Sequence, residues 1–531
     1  MWPSAQHNRN VTFGRSLRRP VRYATLLSGA IPVLAFPAAN LEFLGWIGLI
    51  PGLALMRAAP SRREAVVRGW WFGAGYLLAA MYWLAPNLGP GLLLVAIVIG
   101  ALWTAVGLAT WSWLRPPVTG RRAAIAFAVV PSSWLVSEWI RSWQGIGGPW
   151  AVLGASQWQH PAALALAAVG GVWLITFALV ASNTGLLIAL VATRPVVRLA
   201  GLAGALAAIA AGPIAFALAA PVPAGQPLTI ALVQPGLTSG PAVRLERNER
   251  LTQALAGRAD LVVWGESSVG YDLPDHPALL ASIEHLSKTV GAEILVDQDA
   301  ENAAGAQSKQ ATLIGSTGIR GSYVKTRLVP FGEYIPFRPV LGWLTHISRA
   351  APRNVVPGTG ARDLDATLPG GRRLTFGVLI CFESAFPDMS RVDTDRGARV
   401  IIYQTSDSTF QNSWAPAQHA ALSALRAAET GRPVVQAALT GDSAAFDPRG
   451  RVLAWAGTSY SGSLVVHLEL PPASYRTLFD RFGDFVPWTA VAIAALAALA
   501  GLAGIARSRR RPGRRAADAA AEVLTDSRSA G

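Results

Sequence analysis

Leu374-Thr-Phe-Gly-Val-Leu-Ile-Cys-Phe-Glu-Ser384 is an apolar, β-branched run that reads as a buried strand, and it ends on the only cysteine of the chain, Cys381. One thiol makes no internal disulfide. A free cysteine also serves as a small buried hydrophobe, so the neighbouring elements decide between packing and reaction. Similar strand-like runs flank it: Leu228-Thr-Ile-Ala-Leu-Val-Gln-Pro235, Ala259-Asp-Leu-Val-Val-Trp-Gly-Glu266, Ala292-Glu-Ile-Leu-Val-Asp297 and Ala398-Arg-Val-Ile-Ile-Tyr-Gln404. Thr312-Leu-Ile-Gly-Ser316 and Gly321-Ser-Tyr-Val-Lys325 suggest a hairpin. Helical patterns lie between them at about 241–257, 276–290 and 415–430, so this region is expected to be a layered α/β domain.

Three ionisable groups, Glu266, Lys325 and Cys381, close three separate strands, the place where α/β sheets build their sites. Their types suit acyl chemistry. A thiolate attacks a carbonyl carbon, a carboxylate accepts and returns protons, and an ammonium stabilises the oxyanion. Lysine is scarce, with only Lys288, Lys309 and Lys325 in a chain that otherwise uses arginine. Glu266 and Lys325 are expected to favour the thiolate of Cys381. Taken singly, Glu266 also reads as a strand-end surface carboxylate and Lys325 as a solvated residue. No His, Cys or Asp cluster has metal-ligand spacing, and no metal or cofactor is implied.

Outside this region the chain is a membrane protein, since 52% of its 531 residues are hydrophobic and 15% charged. Seven apolar stretches precede residue 221, at about 23–39, 41–57, 69–87, 90–114, 123–141, 162–193 and 199–220, and an eighth covers 486–506. The sixth is longer than a bilayer needs, so it is expected to tilt or emerge. Arginines mark alternate loops: Arg9, Arg15, Arg18, Arg19 and Arg22 before the first span, then Arg57, Arg62, Arg63 and Arg68, then Arg115, Arg121 and Arg122, then Arg194 and Arg198. Basic short loops stay in the cytoplasm. This places residues 226–471 outside it and makes 1–22 and 507–531 cytoplasmic basic tails, the second disordered, with Arg141 the visible exception. The net charge of +15 gathers at helix ends and tails, where lipid headgroups account for it better than nucleic acid does. A cleaved N-terminal signal is the alternative reading of the first span. Trp143, Trp150 and Trp158, in an outward loop, have an interfacial composition and are expected to anchor at the membrane surface or guide lipid.

Trp264-Gly-Glu-Ser267, Lys325-Thr-Arg-Leu-Val-Pro-Phe-Gly-Glu333 and Ile380-Cys-Phe-Glu383 resemble, in order and spacing, the motifs of nitrilase-type carbon–nitrogen hydrolases. With its spans, the chain from about residue 20 to 508 is similar to the apolipoprotein N-acyltransferase family, the most specific piece being Lys325 to Pro336. The resemblance implies an αββα sandwich, Cys381 as acyl-thioester nucleophile, Glu266 as general base and Lys325 as oxyanion partner, with Glu333 and Glu383 in support. It implies a phospholipid donor, a diacylglyceryl apolipoprotein acceptor, ping-pong transfer, a bacterial cytoplasmic membrane location and a monomer. Glu333 sits in a segment, 329–345, expected to be a loop over the site; its plainer role is a salt bridge, and that of Glu383 a charge at a helix N-terminus. His419, inside the helix at 415–430, reads as structural rather than catalytic.

Some positions depart from the family pattern. Phe382 stands where relatives have Tyr, Gly236 where they have Asn, and Thr405-Ser-Asp-Ser-Thr-Phe410 keeps only Asp407 and Phe410 of the usual segment. Phe382 and Asp407 are candidate substrate-binding residues. Two other functions fit the same residues: a membrane-tethered amidase acting on small amides, and a non-catalytic anchor or partner of a polyprenol-phosphate mannosyltransferase. Intact Glu266, Lys325 and Cys381 weigh against the second.

Overall fold

Apolar residues alternate along Leu228, Ile230 and Leu232 on one face and Ala231 and Val233 on the other, and both sets are buried. A strand buried on both faces belongs inside a layered domain. The computed structural model describes residues 18–301, 306–346, 348–349, 351 and 354–503. Among these residues twelve strands form two six-stranded sheets. The first contains β1 (Gln226–Gln234), β2 (Leu261–Trp264), β3 (Glu293–Glu301), β4 (Gln307–Gly315) and β5 (Gly318–Val324). The second contains β6 (Leu364–Thr367), β7 (Arg373–Ile380), β8 (Ile401–Thr405), β9 (Val434–Ala438), β10 (Ser443–Phe446) and β11 (Val452–Ala456). Finally β12 (Gly462–Leu470) returns to pair antiparallel with β1.

The sheet orders are β12-β1-β2-β3-β4-β5 and β11-β10-β9-β8-β7-β6. Leu228, Leu261 and Leu313 share one core with Phe376, Val378 and Ile402 of the second sheet. Ala231, Val262 and Ile294, on the other face of the first sheet, pack with Ile283 and Leu286 of the helix Pro277–Val290. The helices Pro387–Arg396 and Ala415–Thr430 cover the second sheet, which completes the αββα sandwich. The strands β9, β10 and β11 escaped the sequence reading because runs of four or five residues carry too short a period to register.

Among the described residues five helices are long and apolar enough to cross a membrane: Gly91–Leu114, Gly120–Arg141, Pro161–Val191, Pro195–Leu218 and Phe485–Ala503. They fall on the last four spans expected before residue 221 and on the one after the sandwich. The first three expected spans fall on Arg18–Ala35, on the shorter apolar helix Phe43–Arg57, and on Arg62–Ala80, whose first turns carry Arg63, Glu64 and Arg68. Both tails lie largely outside the described residues. The sixth expected span, which was to tilt or emerge, falls on Pro161–Val191 and breaks at Gly170–Gly171. Gly171 has φ +69°, and a Cβ there would lie 2.6 Å from the ring of Phe479, so glycine is required twice over. The part after the break, 172–191, is about 30 Å long at 1.5 Å per residue, enough to span by itself.

Arg141 ceases to be an exception once its partners are seen. It is buried and donates to the carbonyls of Trp150 and Ala151, the latter at 3.3 Å, while Glu138 accepts from the Leu153 N–H at 2.9 Å. The pair clamps the loop that follows its own helix.

Candidate active site

Glu266 follows β2 at the point where the two sheets meet. Its N–H donates to the Thr405 carbonyl at 3.1 Å. A Cβ on the preceding Gly265 would sit 2.0 Å from the Leu439 nitrogen, so only glycine permits this approach. Lys325 follows β5 and is fully buried. Its Nζ donates to Glu266 Oε1 at 3.2 Å and to Glu333 Oε1 at 2.7 Å. Glu333 is held in turn by the Val329 N–H, 2.8 Å from its Oε2.

Cys381 opens the turn after β7 with φ +52°, in the left-handed region that a non-glycine residue occupies only when its surroundings enforce it. Glu383 supplies much of that enforcement. Its Oε2 accepts from the Ile380 N–H at 2.7 Å, and its Oε1 accepts from the N–H groups of Thr326 and Arg327 and from Tyr323 Oη at 2.8–2.9 Å. One buried carboxylate thus joins the Cys381 turn to the residues just after Lys325. It is more than a charge at a helix end.

Opposing influences act on the thiol that was expected to ionise easily. Loss of water and the neighbouring Glu266 push the Cys381 thiol well above the ordinary cysteine value, and Lys325 only partly opposes them. For Lys325 burial works downward, yet the charges of Glu266 and Glu333 outweigh it and hold the ammonium well above the usual lysine value. The site thus sets the Cys381 thiol beside an ammonium that two carboxyl groups grip.

His419 deserves more than a plain structural reading. Its Nε2 lies 3.0 Å from the Cys381 carbonyl oxygen and its Nδ1 3.0 Å from Asp407 Oδ1. A carbonyl only accepts, and so does a carboxylate, an arrangement that favours a proton on each ring nitrogen. Burial works against that charge, but Asp407 raises the ring above the ordinary histidine value. Asp407 thus holds His419, and His419 holds the Cys381 carbonyl.

Membrane loops complete the surroundings. Trp150 is buried, donates from Nε1 to Gln418 at 3.0 Å, stacks on Phe382 at 6.3 Å and lies 5.5 Å from His419. Trp158 is buried against Trp455 at 5.1 Å. Of the three loop tryptophans only Trp143 is exposed, so the shared interfacial reading fails for the other two. Phe382 also meets Phe386 edge-on at 5.2 Å. The segment 329–345 is not all loop: it contains the short helices Arg338–Leu341 and Gly342–His346, the second extending to 346. It touches the membrane part through Tyr334, whose Oη donates to the Gln144 carbonyl at 3.0 Å. His419's role and Trp150's place went unread because their partners lie far away in sequence. Asp297, whose Oδ1 accepts from the Ser267 N–H at 2.6 Å, had a visible signal: like Glu266, it ends a strand-like run.

Residues 28–185 match the family described as apolipoprotein N-acyltransferase N-terminal domain, and residues 229–475 match carbon-nitrogen hydrolase. An apolipoprotein N-acyltransferase of Geobacter metallireducens is 28% identical over 88% of this chain and 92% of that protein. One from Sinorhizobium medicae is 32% identical over 86% and 91%, and one from Sinorhizobium fredii 33% identical over 81% and 85%. The likeness runs through both the membrane helices and the sandwich, which favours acyl transfer over a tethered amidase or a partner module. The chain belongs to the apolipoprotein N-acyltransferase family of bacterial membrane enzymes.

Proposed function

We propose that the protein moves an acyl chain from a membrane phospholipid to the α-amino group of the diacylglyceryl-cysteine that begins an apolipoprotein, through a thioester on Cys381. The observation that carries the reading is the Cys381 thiol, on a turn held at φ +52°, sharing a site with an ammonium locked between Glu266 and Glu333.

The thiol gives its proton to Glu266 as the sulfur attacks the ester carbonyl, and the Lys325 ammonium faces the oxyanion. Collapse breaks the ester C–O bond, Glu266 returns the proton to the departing lysophospholipid oxygen, and the acyl group remains on sulfur. The free amine of the apolipoprotein then attacks the thioester, Glu266 accepts its proton, and the sulfur leaves and regains a proton from Glu266. Water has to be kept from the thioester, a task that suits the segment 329–345 carrying Glu333.

The arginine pattern supports eight spans in the cytoplasmic membrane, with 226–471 outside and both tails inside, and a single chain contains all the groups the reaction needs. The decisive experiment incubates purified protein with phospholipid alone. A hydroxylamine-sensitive acyl adduct is expected on Cys381, absent from Cys381→Ala and discharged by a diacylglyceryl peptide. Transfer to the peptide with no adduct in rapidly quenched samples would sink the thioester.

A further inference from the structure

The helix Ala415–Thr430 is buried along almost its whole length between the membrane part and the nucleophile turn. Two cationic side chains, His419 and Arg426, stand two turns apart on one face of it. His419 reaches the carbonyl of Cys381, the first residue of the turn Cys381–Ala385, and Arg426 donates to the carbonyl of Ala385, the last, at 3.2 Å. Each cation is backed by a carboxylate. For Arg426 it is Glu429, with contacts of 2.9 Å from Nε to Oε2 and 3.1 Å from the other arm to Oε1.

Glu429 does something the proposed chemistry does not use. Its Oε1 also accepts from the N–H of Val172, at 2.7 Å, across the boundary between catalytic and membrane parts. Val172 is the first residue after the break at Gly170–Gly171, so this N–H is one of the unpaired donors at the start of the spanning half-helix. A carboxylate there also meets the positive end of the helix dipole. The backbone carbonyl of Glu429 accepts from Thr477, in the segment leading to the last span.

We propose that Glu429 and Arg426 are positioning residues that tie the Cys381 turn to the broken membrane helix, so that the strained turn is held in its reactive shape only while the sandwich is seated on that helix. This rests on the reading of Cys381 as nucleophile. The break places a helix end at the boundary, Glu429 caps it, Arg426 passes the constraint to Ala385, and His419 fixes the other end of the turn.

The linkage is pH-sensitive. Burial raises the Glu429 carboxyl to about 7, against the pull of Arg426 and the Val172 N–H and with help from Asp484, which precedes the last span, and Asp388, on the helix Pro387–Arg396. Above that value Glu429 is ionised and the clamp is complete. Below it the proton removes the charge that holds Arg426.

The test compares wild type with Glu429→Gln, full-length in phospholipid nanodiscs, from pH 6 to pH 8. At pH 8 the variant's kcat for acyl transfer is expected to fall about tenfold to a hundredfold, as for a displaced reacting group, with KM nearly unchanged. The wild-type-to-variant ratio should then shrink towards one at pH 6, which a merely weakened fold would not produce. Iodoacetamide alkylation of Cys381 in the same samples should show the same pH-dependent ratio. Alkylation needs no acyl substrate, so its response stands even if the thioester reading fails in the adduct experiment. A kcat ratio near one at pH 8, or one constant across the range, overturns the proposal. Should Glu429→Gln fail to accumulate, Val172→Pro removes the N–H at a helix-start position that tolerates proline. It is expected to lose kcat to a similar extent, and wild-type kcat there is equally fatal.

Discussion

Lys325 and Arg426 are both buried cations of the sandwich, yet they serve opposite ends of the design. Lys325 sits between two carboxyl groups beside the thiol, and its third N–H direction stays available to a developing oxyanion. Arg426 faces one carboxylate and a backbone carbonyl. The first cluster is charge-rich and raises the thiol, so protons have to move in it. The second is balanced, and its geometry braces the chain. Burying a cation therefore has no single meaning: the number and kind of acceptors around it separate a chemical group from a brace.

Replacing Lys325 by Met is the hardest blow to this contrast. It removes the oxyanion partner, and loss of one such donor costs about 10²–10³ in kcat. It also leaves Glu266 and Glu333 facing each other without their cation, worth about 3–5 kcal/mol when a buried pair is broken on one side. Acyl transfer and thermal unfolding of the detergent-solubilised protein measure the two effects. A variant that keeps most of its kcat would show Lys325 to be a brace like Arg426.

A milder test uses the second imposed charge on the bracing helix, His419. Its value in the folded protein is raised because Asp407 outweighs burial, so the stability it contributes is complete below about 6.5, the unfolded value, and disappears as pH rises through the folded one. Wild type should lose apparent Tm as pH climbs from 6.5, while His419→Gln, neutral throughout, should be less stable at low pH and flatter. A parallel pair of curves would mean the ring is not charged in the fold.

The smallest effect is expected from Phe382→Tyr, which restores the residue usual in the family. A Cβ placed on Gly148 would lie 2.6 Å from Phe382 Cζ, so the added hydroxyl meets the membrane loop with little space. Overpacking of this kind costs about 1–3 kcal/mol. A several-fold drop in activity with unchanged thiol alkylation fits; a gain in activity would instead give the missing hydroxyl a substrate-binding role.

What the residues alone determined is considerable, and it shares one origin. Strand runs, spans and the ends at Glu266, Lys325 and Cys381 are local patterns, because burial on two faces and bilayer length both write themselves into consecutive residues. The motifs around them add Glu333 and Glu383. Tertiary structure alone decided the rest: which charges surround the thiol, that His419 bridges Asp407 and the Cys381 carbonyl, that Trp150 lies inside, and that the sixth span breaks where Glu429 meets Val172. That last bond joins residues 257 apart. A protonation state depends on which charges and how much water surround a group, and a helix cap on who arrives at its end. Neither is written in the neighbouring sequence, since the partners are brought together only when sandwich and membrane helices pack.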